Sequence, residues 1–388
     1  MLRTKVGYST EKNSFASGVE TAKSASVGMK PKLAMLYTSV LNEPKEVVKG
    51  ARSILKNVPI IGCTSSGMIM TNDGIIKSDD GFSGMMVFDD KAMKVGVACH
   101  KAGANAREIG RKVARAAVEN ANENYSPDYF YMVASPKEEE DYLLGIEDVI
   151  GTVPCFGGSA ADDAVEGKWK IYCNDEIFDD GVAVAFFYTD KEIENVYTGA
   201  YRETDKSAVI TQVENNRCLQ MLNGKNALDV YKKWIKAKDE ALSGGNLLVT
   251  AITHPLGVKD PLGKITLVRH PMAGNEDGSM NIGNHLAVGT AAVLLEATVD
   301  ELIDSTKNTL QELRSKMDTK PAGFFLVHCG GRALGIGDRI DEVHANLVAE
   351  AKGVPFLTIF TFGEYGFAAN NNNGCGGLML SFSGFGEE

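Results

Sequence analysis

The sequence lacks the features that mark secreted, membrane-spanning and nucleic-acid-binding proteins. No apolar run approaches the roughly 18 residues that a membrane-spanning helix needs, and residues 1–13 contain no apolar segment of a secretory signal. The net charge of −11, without any basic block, argues against nucleic acid or an anionic membrane as a partner. We therefore expect a cytoplasmic globular protein.

Cysteine is scattered along the chain and forms no recognisable motif. The seven cysteines include no C-x-x-C pair, which is typical of reduced thiols in the cytoplasm. Neither cysteine nor histidine is clustered at the spacing of zinc ligands. The sequence therefore predicts no metal site and no resident cofactor.

Enzyme motifs are also missing. Gly62 and Gly67 have the G-x-x-x-x-G spacing, but Met68 stands where a P-loop has its lysine. Neither Ser65 nor Ser159 lies in a G-x-S-x-G elbow. We predict that the protein is not an enzyme. A cysteine nucleophile, Cys63 or Cys329, is an alternative, although reactive thiols need more exposure than these strand-end positions offer.

What the sequence does contain is a pattern that occurs three times. Each copy has a helix, a proline, an apolar strand, a second helix, a Val-Pro pair, a second strand and a loop of small residues. The two prolines are 59 − 31 = 28, 154 − 127 = 27 and 355 − 321 = 34 residues apart. The pattern predicts an α/β fold of mixed β-sheets, built from repeated βαβ units with added antiparallel hairpins, in two lobes covered by helices.

A different segment separates the second copy from the third. Residues 208–213 and 218–222 are typical of a hairpin joined through Asn215 and Asn216, and residues 227–236 are typical of a helix. We place the domain boundary at the start of this segment, which gives domains of residues 1–204 and 205–388.

One helix start in the second copy has a specific signal. Ser135, Pro136 and Glu138 have the spacing of a capping box with proline at the first helical position. The pattern predicts a helix that begins at Pro136.

The three loops of small residues are the first candidate site. Ligands favour the carboxyl ends of parallel strands, and small or hydroxylated residues there can approach a ligand closely. The same residue types also satisfy turn backbone, so a structural role is the alternative. The candidate residues of the first two loops are Thr64, Ser65, Ser66, Gly158, Ser159 and Asp162.

Two charged residues of the third copy suggest a ligand. Arg332 offers a fork for a carboxylate and Glu364 offers an acceptor for an ammonium group, a combination that suits an amino acid. The alternative is a structural ion pair. Asn371, in the run of asparagines at 370–373, belongs either to a polar lid or to an exposed polar tip.

Taken in order, these motifs resemble the FIST sensory-domain family over nearly the whole chain. The motifs that carry the resemblance are residues 61–67, 156–162 and 222–227, Pro255 to Gly257 ahead of Arg269, Cys329 with Arg332, and 362–364. The chain departs from the family at Asn371-Asn372-Asn373-Gly374-Cys375, where members often have a His-Asn-x-Thr-like segment.

The resemblance implies an intracellular signal-input module that binds a small molecule, with amino acids or their derivatives among the ligands, and it adds Cys329 to the ligand-binding candidates. Some members bind haem and respond to nitric oxide, for which His100 and His328 are the candidate ligands here. Because the two FIST parts use nearly all of the chain, we expect no fused output domain and a separate signalling partner. A homo-oligomer and an assembly-scaffold role remain open alternatives.

Overall fold

The computed structural model describes residues 1–237, 247–259, 266–368 and 371–388. Within these ranges the helices are α1 Ser14–Ser26, α2 Pro44–Leu55, α3 Ala106–Asn120, α4 Glu139–Ile150, α5 Ala227–Ile235, α6 Leu247–Thr253, α7 Val299–Lys316, α8 Gly330–Ile336 and α9 Ile340–Ala351.

The strands fall into three comparable series and one inserted series. The first half of the chain contains β1 Arg3–Ser9, β2 Leu33–Thr38, β3 Ile60–Thr64, β4 Ile69–Thr71, β5 Gly74–Ile76, β6 Ser83–Asp89, β7 Lys94–Lys101, β8 Tyr129–Ala134, β9 Cys155–Ser159, β10 Ile171–Cys173, β11 Glu176–Phe178, β12 Gly181–Tyr188 and β13 Ile193–Thr198. The second half contains β14 Arg202–Glu214, β15 Cys218–Leu222, β16 Lys225–Asn226, β17 Leu256–Lys259, β18 Thr266–Arg269, β19 Pro271–Gly274, β20 Met280–Ile282, β21 Ala291–Glu296, β22 Pro321–Cys329, β23 Phe356–Thr361, β24 Glu364–Phe367, β25 Asn373–Gly376 and β26 Leu380–Gly386.

The three repeats fold as three βαβ units. Strands β2 and β3, β8 and β9, and β22 and β23 form parallel pairs, each flanked by an antiparallel strand of the same repeat. The register is identical, because the residue three positions after the opening proline faces the residue after the Val-Pro pair: Ala34 with Ile60, Phe130 with Cys155, and Phe324 with Phe356. The predicted α/β architecture of βαβ units with added hairpins is confirmed.

Each of the three sheets also receives a hairpin from another repeat. Hairpin β10–β11 follows the second repeat and pairs with β3 of the first, while β4–β5 follows the first and pairs with β23 of the third. Hairpin β24–β25 follows the third repeat and pairs with β9 of the second, which closes the cycle. The three sheets are therefore interlocked by exchange, and each has six strands among the described residues.

The inner faces of the sheets share one apolar layer. The Phe325 ring stacks on Tyr37 at a centroid distance of 5.5 Å, and the Tyr37 hydroxyl donates a hydrogen bond of 2.8 Å to the Tyr131 hydroxyl. Each of these residues comes from a different repeat and is fully buried. The helices cover the outer faces, with α1 and α2 on the first sheet, α3 and α4 on the second, and α7 to α9 on the third.

The segment between the second and third repeats forms its own antiparallel sheet. The order of its strands is β18-β17-β21-β14-β15-β20-β19, and β16 pairs with β15. Helices α5 and α6 cover one face over a separate apolar core. The predicted hairpin across Asn215 and Asn216 and the helix that follows it are confirmed. We refer to this unit, β14 to β21 with α5 and α6, as the inserted sheet.

The predicted domain division at residues 204 and 205 remains a prediction. That position lies inside β14, and the first three sheets combine strands from both sides of it.

The predicted capping box at the start of α4 is wrong. The helix begins at Glu139, and the Ser135 hydroxyl instead accepts a hydrogen bond of 3.0 Å from the Gly181 backbone of β12. Tertiary contact with the neighbouring strand therefore takes the side chain that the local pattern assigns to the cap. The later start leaves residues 136–138 outside the helix and turns the Glu139 side chain into the protein, where it is 2% exposed.

Candidate functional site

The three loops of small residues meet one another, as their equivalent positions suggested. Each pair of loops is joined by at least one backbone hydrogen bond between strand ends: Ala161 N to Thr64 O at 3.1 Å, Ser66 N to Phe360 O at 3.0 Å, and Ser159 N to Gly363 O at 2.7 Å. The loops thus form a junction of the three repeats, which we call the loop junction. Backbone groups that sequence reasoning offered to a ligand bind one another there.

Two glycines adjust the strands that lead into the junction. Gly62 and Gly157 occupy the same position of β3 and β9, with φ of 154° and 142°. A Cβ atom at either would lie 1.9 Å from a carbonyl oxygen of the parallel strand, Leu36 O or Met132 O. Only glycine tolerates this combination of backbone angle and close approach.

Most hydroxyl and carboxyl candidates of the loops have intramolecular partners. The Thr64 hydroxyl accepts from Lys170 N at 3.0 Å, and the Ser65 hydroxyl donates to Met68 O at 2.7 Å. The Asp162 carboxylate accepts from backbone N–H groups within its own loop, including Lys168 N at 2.8 Å. These contacts support the structural role that was the alternative for the loops.

Arg332, Glu364 and Cys329 lie together beneath the third sheet. Arg332 is fully buried, and its two terminal nitrogens donate to the Ser305 hydroxyl and to three backbone carbonyls, the nearest being Gly199 O at 2.8 Å. Its Nε has no partner. The fork predicted to bind a carboxylate therefore holds backbone carbonyls.

The Glu364 carboxyl is fully buried close to these residues. It accepts from Met379 N and from the Thr361 hydroxyl, both at 2.9 Å. Burial raises its pKa to about 8, and the two hydrogen bonds, the Cys329 side chain and Arg332 offset only part of that effect. The carboxyl is therefore largely neutral at pH 7 and does not form a salt bridge with Arg332.

The asparagine candidate lies apart from the other predicted residues. Asn371 is exposed, and its backbone N–H donates to Ala368 O at 2.9 Å in the connection between β24 and β25. Its position agrees with an exposed polar tip. Asn370 lies outside the described residues.

The surroundings of the two histidine candidates do not fit a haem group. His328 is fully buried, with its ring 5.1 Å from that of Phe360 and its Nδ1 2.8 Å from Cys329 O. His100 is exposed on β7, in another sheet. A haem ligand needs an open apolar cleft beside its imidazole, which neither residue has. Among the residues the structure describes, no three His, Cys, Asp or Glu side chains are grouped to hold a metal ion.

A second polar group, which sequence reasoning missed, lies beside the loop junction. Glu139, at the start of α4, accepts from the Ser159 hydroxyl at 3.0 Å and from Arg217 Nη2 at 2.8 Å. The same Arg217 nitrogen lies 2.7 Å from Glu140 Oε2, and the Ser159 hydroxyl is 2.6 Å from the Tyr365 hydroxyl. We call these five residues the Glu139 cluster.

The cluster is held between the second repeat and the inserted sheet. Arg217 follows the turn from β14 to β15, and its Nη1 donates to Gly283 O. Glu140 also accepts from His285 N at 2.8 Å. Because these groups belong to the inserted sheet and the loop after it, the cluster is the polar part of the contact between that unit and α4.

The two carboxyls of the cluster titrate in opposite directions. Burial raises the pKa of Glu139 above its ordinary value, and Arg217 offsets only part of this effect. Burial also acts on Glu140, but Arg217, His285 and Arg269 outweigh it and hold the pKa of that carboxyl below its ordinary value. Polar atoms nearby are unpaired, since Arg217 Nε and Asn284 Oδ1 are both buried without a partner.

The sequence contained one sign of the cluster. Residues 138–141 are four consecutive acids, a run that ordinarily marks the exposed first turn of a helix. That Glu139 and Glu140 turn inward depends on Arg217, which is 78 positions from Glu139 in the sequence.

Two depressions in the surface lie away from all these residues. One is lined by Glu119, Asn122, Glu123 and Asn124. The other, of about 490 Å³, lies between the first and second sheets and is lined by residues that include Arg52, Val97 and Asn174.

The fold places the chain among α/β proteins built from mixed sheets, and comparison with protein families is more specific. The FIST N domain matches residues 32–225, and the FIST C domain matches residues 227–367. The chain therefore belongs to the FIST family, as its motifs predicted. FIST domains are sensory domains that bind small ligands.

Solved structures offer only remote similarity. Cyanuric acid hydrolase from A. caulinodans is 9% identical with a TM-score of 0.37, and the match covers 99% of each chain. PurLQS from Thermotoga maritima is 8% identical with a TM-score of 0.24, covering 99% of this chain and 72% of that one. No curated protein matches this chain.

None of the helices in the described ranges is long and apolar enough to cross a membrane.

Proposed function

We propose that this protein is a small-molecule sensor and that its ligand, an amino acid or a related carboxylate, binds at the Glu139 cluster. The observation that carries the proposal is the meeting of two buried carboxyls and one guanidinium at the carboxyl end of β9. Ligands of open α/β sheets favour this end of the strands. The cluster also includes Ser159, which the loop pattern had already marked as a candidate.

The charges of the cluster match those of a zwitterion. The ammonium group of an amino acid replaces the Arg217 guanidinium at Glu139 and Glu140, and its carboxylate pairs with the guanidinium that is released. Such a charge-assisted pair is among the stronger hydrogen-bonded contacts, and Arg217 Nε is an additional donor. Every charged group then keeps a partner of opposite sign, which avoids the cost of an isolated buried charge.

The same exchange supplies a signal. Arg217 and its carboxylate partners join the inserted sheet to the second repeat, so a ligand between them changes the contact between these two units. A ligand shifts a conformational equilibrium when its affinity for the two states differs. The closed arrangement is the ligand-free state in this proposal.

The proposal replaces the pair Arg332 and Glu364 as the amino-acid site. The terminal nitrogens of Arg332 are occupied by backbone carbonyls and a serine hydroxyl, and Glu364 is largely neutral at pH 7. We propose a binding function and not catalysis. Burial raises the pKa of both Cys63 and Cys329, which makes either thiol a poor nucleophile.

We also propose a cytoplasmic location and transmission of the signal to a partner protein. The seven cysteines, all free, support the location.

The test is a thermal-shift screen of the full chain against matched sets of ligands. Each set contains an amino acid, the carboxylic acid that lacks its ammonium group and the amine that lacks its carboxylate. Ligand at 100-fold excess over Kd stabilises the folded state by about 2.7 kcal/mol. We expect amino acids to raise the unfolding temperature more than either partial analogue.

Two arginine variants distinguish this site from general charge effects. Arg217→Met is expected to abolish the shift. Arg202→Met is the matched control, because Arg202 also bridges two carboxylates, Glu296 and Glu301, but is exposed on the inserted sheet. Circular dichroism establishes that both variants are folded. No shift with any amino acid or carboxylate at saturation refutes the proposal, as does an unchanged shift in the folded Arg217→Met variant.

A further inference from the structure

Two cysteines meet where the first sheet packs against the second. Cys99 lies on β7, the edge strand of the second sheet, and Cys173 ends β10, which the second repeat contributes to the first sheet. Val97 and Cys99 project from one face of β7 into the apolar layer that also contains Ile171 and Cys173. The two thiols are close enough for a hydrogen bond between them.

The pair lies at the rim of that layer. Cys173 is 3% exposed, whereas Cys99 is only half-buried. The depression between the two sheets is lined by Val97, two positions before Cys99, and by Asn174, the residue after Cys173. A small solute in this depression therefore lies next to both strands that carry the thiols.

We propose that Cys99 and Cys173 form a reversible disulfide bond when the protein meets a small-molecule disulfide such as oxidised glutathione. This inference is independent of the proposed ligand site. The Cys99 thiolate attacks one sulfur of the glutathione disulfide, which breaks the S–S bond and releases one glutathione. The Cys173 thiol then loses its proton and attacks the Cys99 sulfur of the mixed disulfide, which releases the second glutathione.

The exchange balances without another reactant. Two protein thiols are oxidised to one disulfide, one glutathione disulfide is reduced to two glutathione molecules, and the two thiol protons end on those products. Cys99 reacts first because it is the more exposed thiol. The hydrogen bond with Cys99 and burial both raise the pKa of Cys173, so the second step is slow near neutral pH and accelerates as the pH rises.

The bond would join two sheets that are otherwise held by packing. Hairpin β10–β11 is one of the three exchanged hairpins, and the disulfide would fix it to the sheet of its own repeat as well as to the one it joins. Because a disulfide restricts the unfolded chain, the oxidised protein is expected to unfold at a higher temperature than the reduced protein.

The test treats the reduced full chain with oxidised glutathione and then counts thiols after acid quenching and denaturation. The count is expected to fall from seven to five, that is, 7 − 2. Trypsin releases Cys99 in residues 95–101 and Cys173 in residues 171–191, each as the only cysteine of its peptide. Mass spectrometry should find these two peptides cross-linked, and a thiol reductant should separate them.

Three variants complete the experiment. Cys99→Ser is expected to abolish the cross-link, and Cys173→Ser is expected to leave a stable glutathione adduct on Cys99. Cys218→Ser is the control, since Cys218 is also half-buried but lies on the inserted sheet. It should retain the cross-link. A count that stays at seven, a glutathione adduct without the cross-link, or a disulfide between other cysteines overturns the proposal.

Discussion

The buried Glu364 carboxyl predicts a specific dependence of stability on pH. Its pKa in the folded protein is about 8, against an ordinary value of 4.5, because burial disfavours the charged form. A carboxyl with a raised folded-state pKa contributes stability that is fully present below about pH 4.5 and is lost as the pH rises through about 8. Alkaline pH should therefore weaken the fold through this residue.

The size of the effect follows from the two pKa values. Each pKa unit corresponds to about 1.4 kcal/mol, so complete ionisation of Glu364 removes about 5 kcal/mol of folding free energy. Between pH 6.5 and pH 9 the same relation gives a loss of about 2 kcal/mol. This range lies above the lowered pKa values of the buried His270, about 4, and His328, about 3, whose neutral forms are favoured throughout it.

The assay is urea unfolding at a series of pH values, comparing the natural protein with Glu364→Gln. The amide cannot ionise, so the variant is expected to lose about 2 kcal/mol less than the natural protein between pH 6.5 and pH 9. A constant offset is also expected, because an amide nitrogen cannot accept the hydrogen bond from Met379 N. Glu312→Gln on the exposed side of α7 is the control and should keep the natural slope. Equal slopes for the natural protein and Glu364→Gln would refute the reasoning.

Two further outcomes concern local structure. Gly62→Ala places a Cβ 1.9 Å from Leu36 O at a strained backbone angle, and it should cost about 3 kcal/mol or more in urea unfolding. Its control is Gly67→Ala, which also has a positive φ but an open surrounding and should cost only about 1 kcal/mol; equal losses contradict the steric argument. Thr298→Ala removes the capping box formed with Glu301 at the start of α7 and should lower the free energy of unfolding by about 1 kcal/mol; an unchanged unfolding midpoint contradicts this role of the cap.

The repeated architecture could be predicted because each repeat carries its own local signals. Continuous apolar strands are typical of central strands, and prolines stand at fixed places relative to the parallel pairs, as with Ala34 and Ile60. The cap of α3 was equally local, since the Asn105 side chain accepts from Glu108 N at 3.0 Å. Such patterns depend on residues within a few positions of one another.

The exchange of hairpins and the start of α4 could not be predicted in the same way. A hairpin such as β4–β5 pairs equally well in sequence terms with its own repeat or with another, and the choice is made by the packing of three sheets around one apolar layer. Ser135 has a good local reason to cap a helix, but a backbone N–H of β12 competes for its hydroxyl and binds it. Tertiary contacts override local preference at both places.

The candidate site divides along the same line. The sequence marked Ser159 and the loops of small residues, because strand ends with glycine and hydroxyl groups are recognisable wherever they occur. It did not mark Arg217 or the inward turn of Glu139, since their meeting depends on how the inserted sheet packs against the second repeat. Sequence by itself therefore determined the family, the repeated βαβ units and the location of the loops. The tertiary structure decided which charges are buried together, because the environment that shifts the pKa values of Glu139 and Glu364 exists only once distant segments exclude water around them.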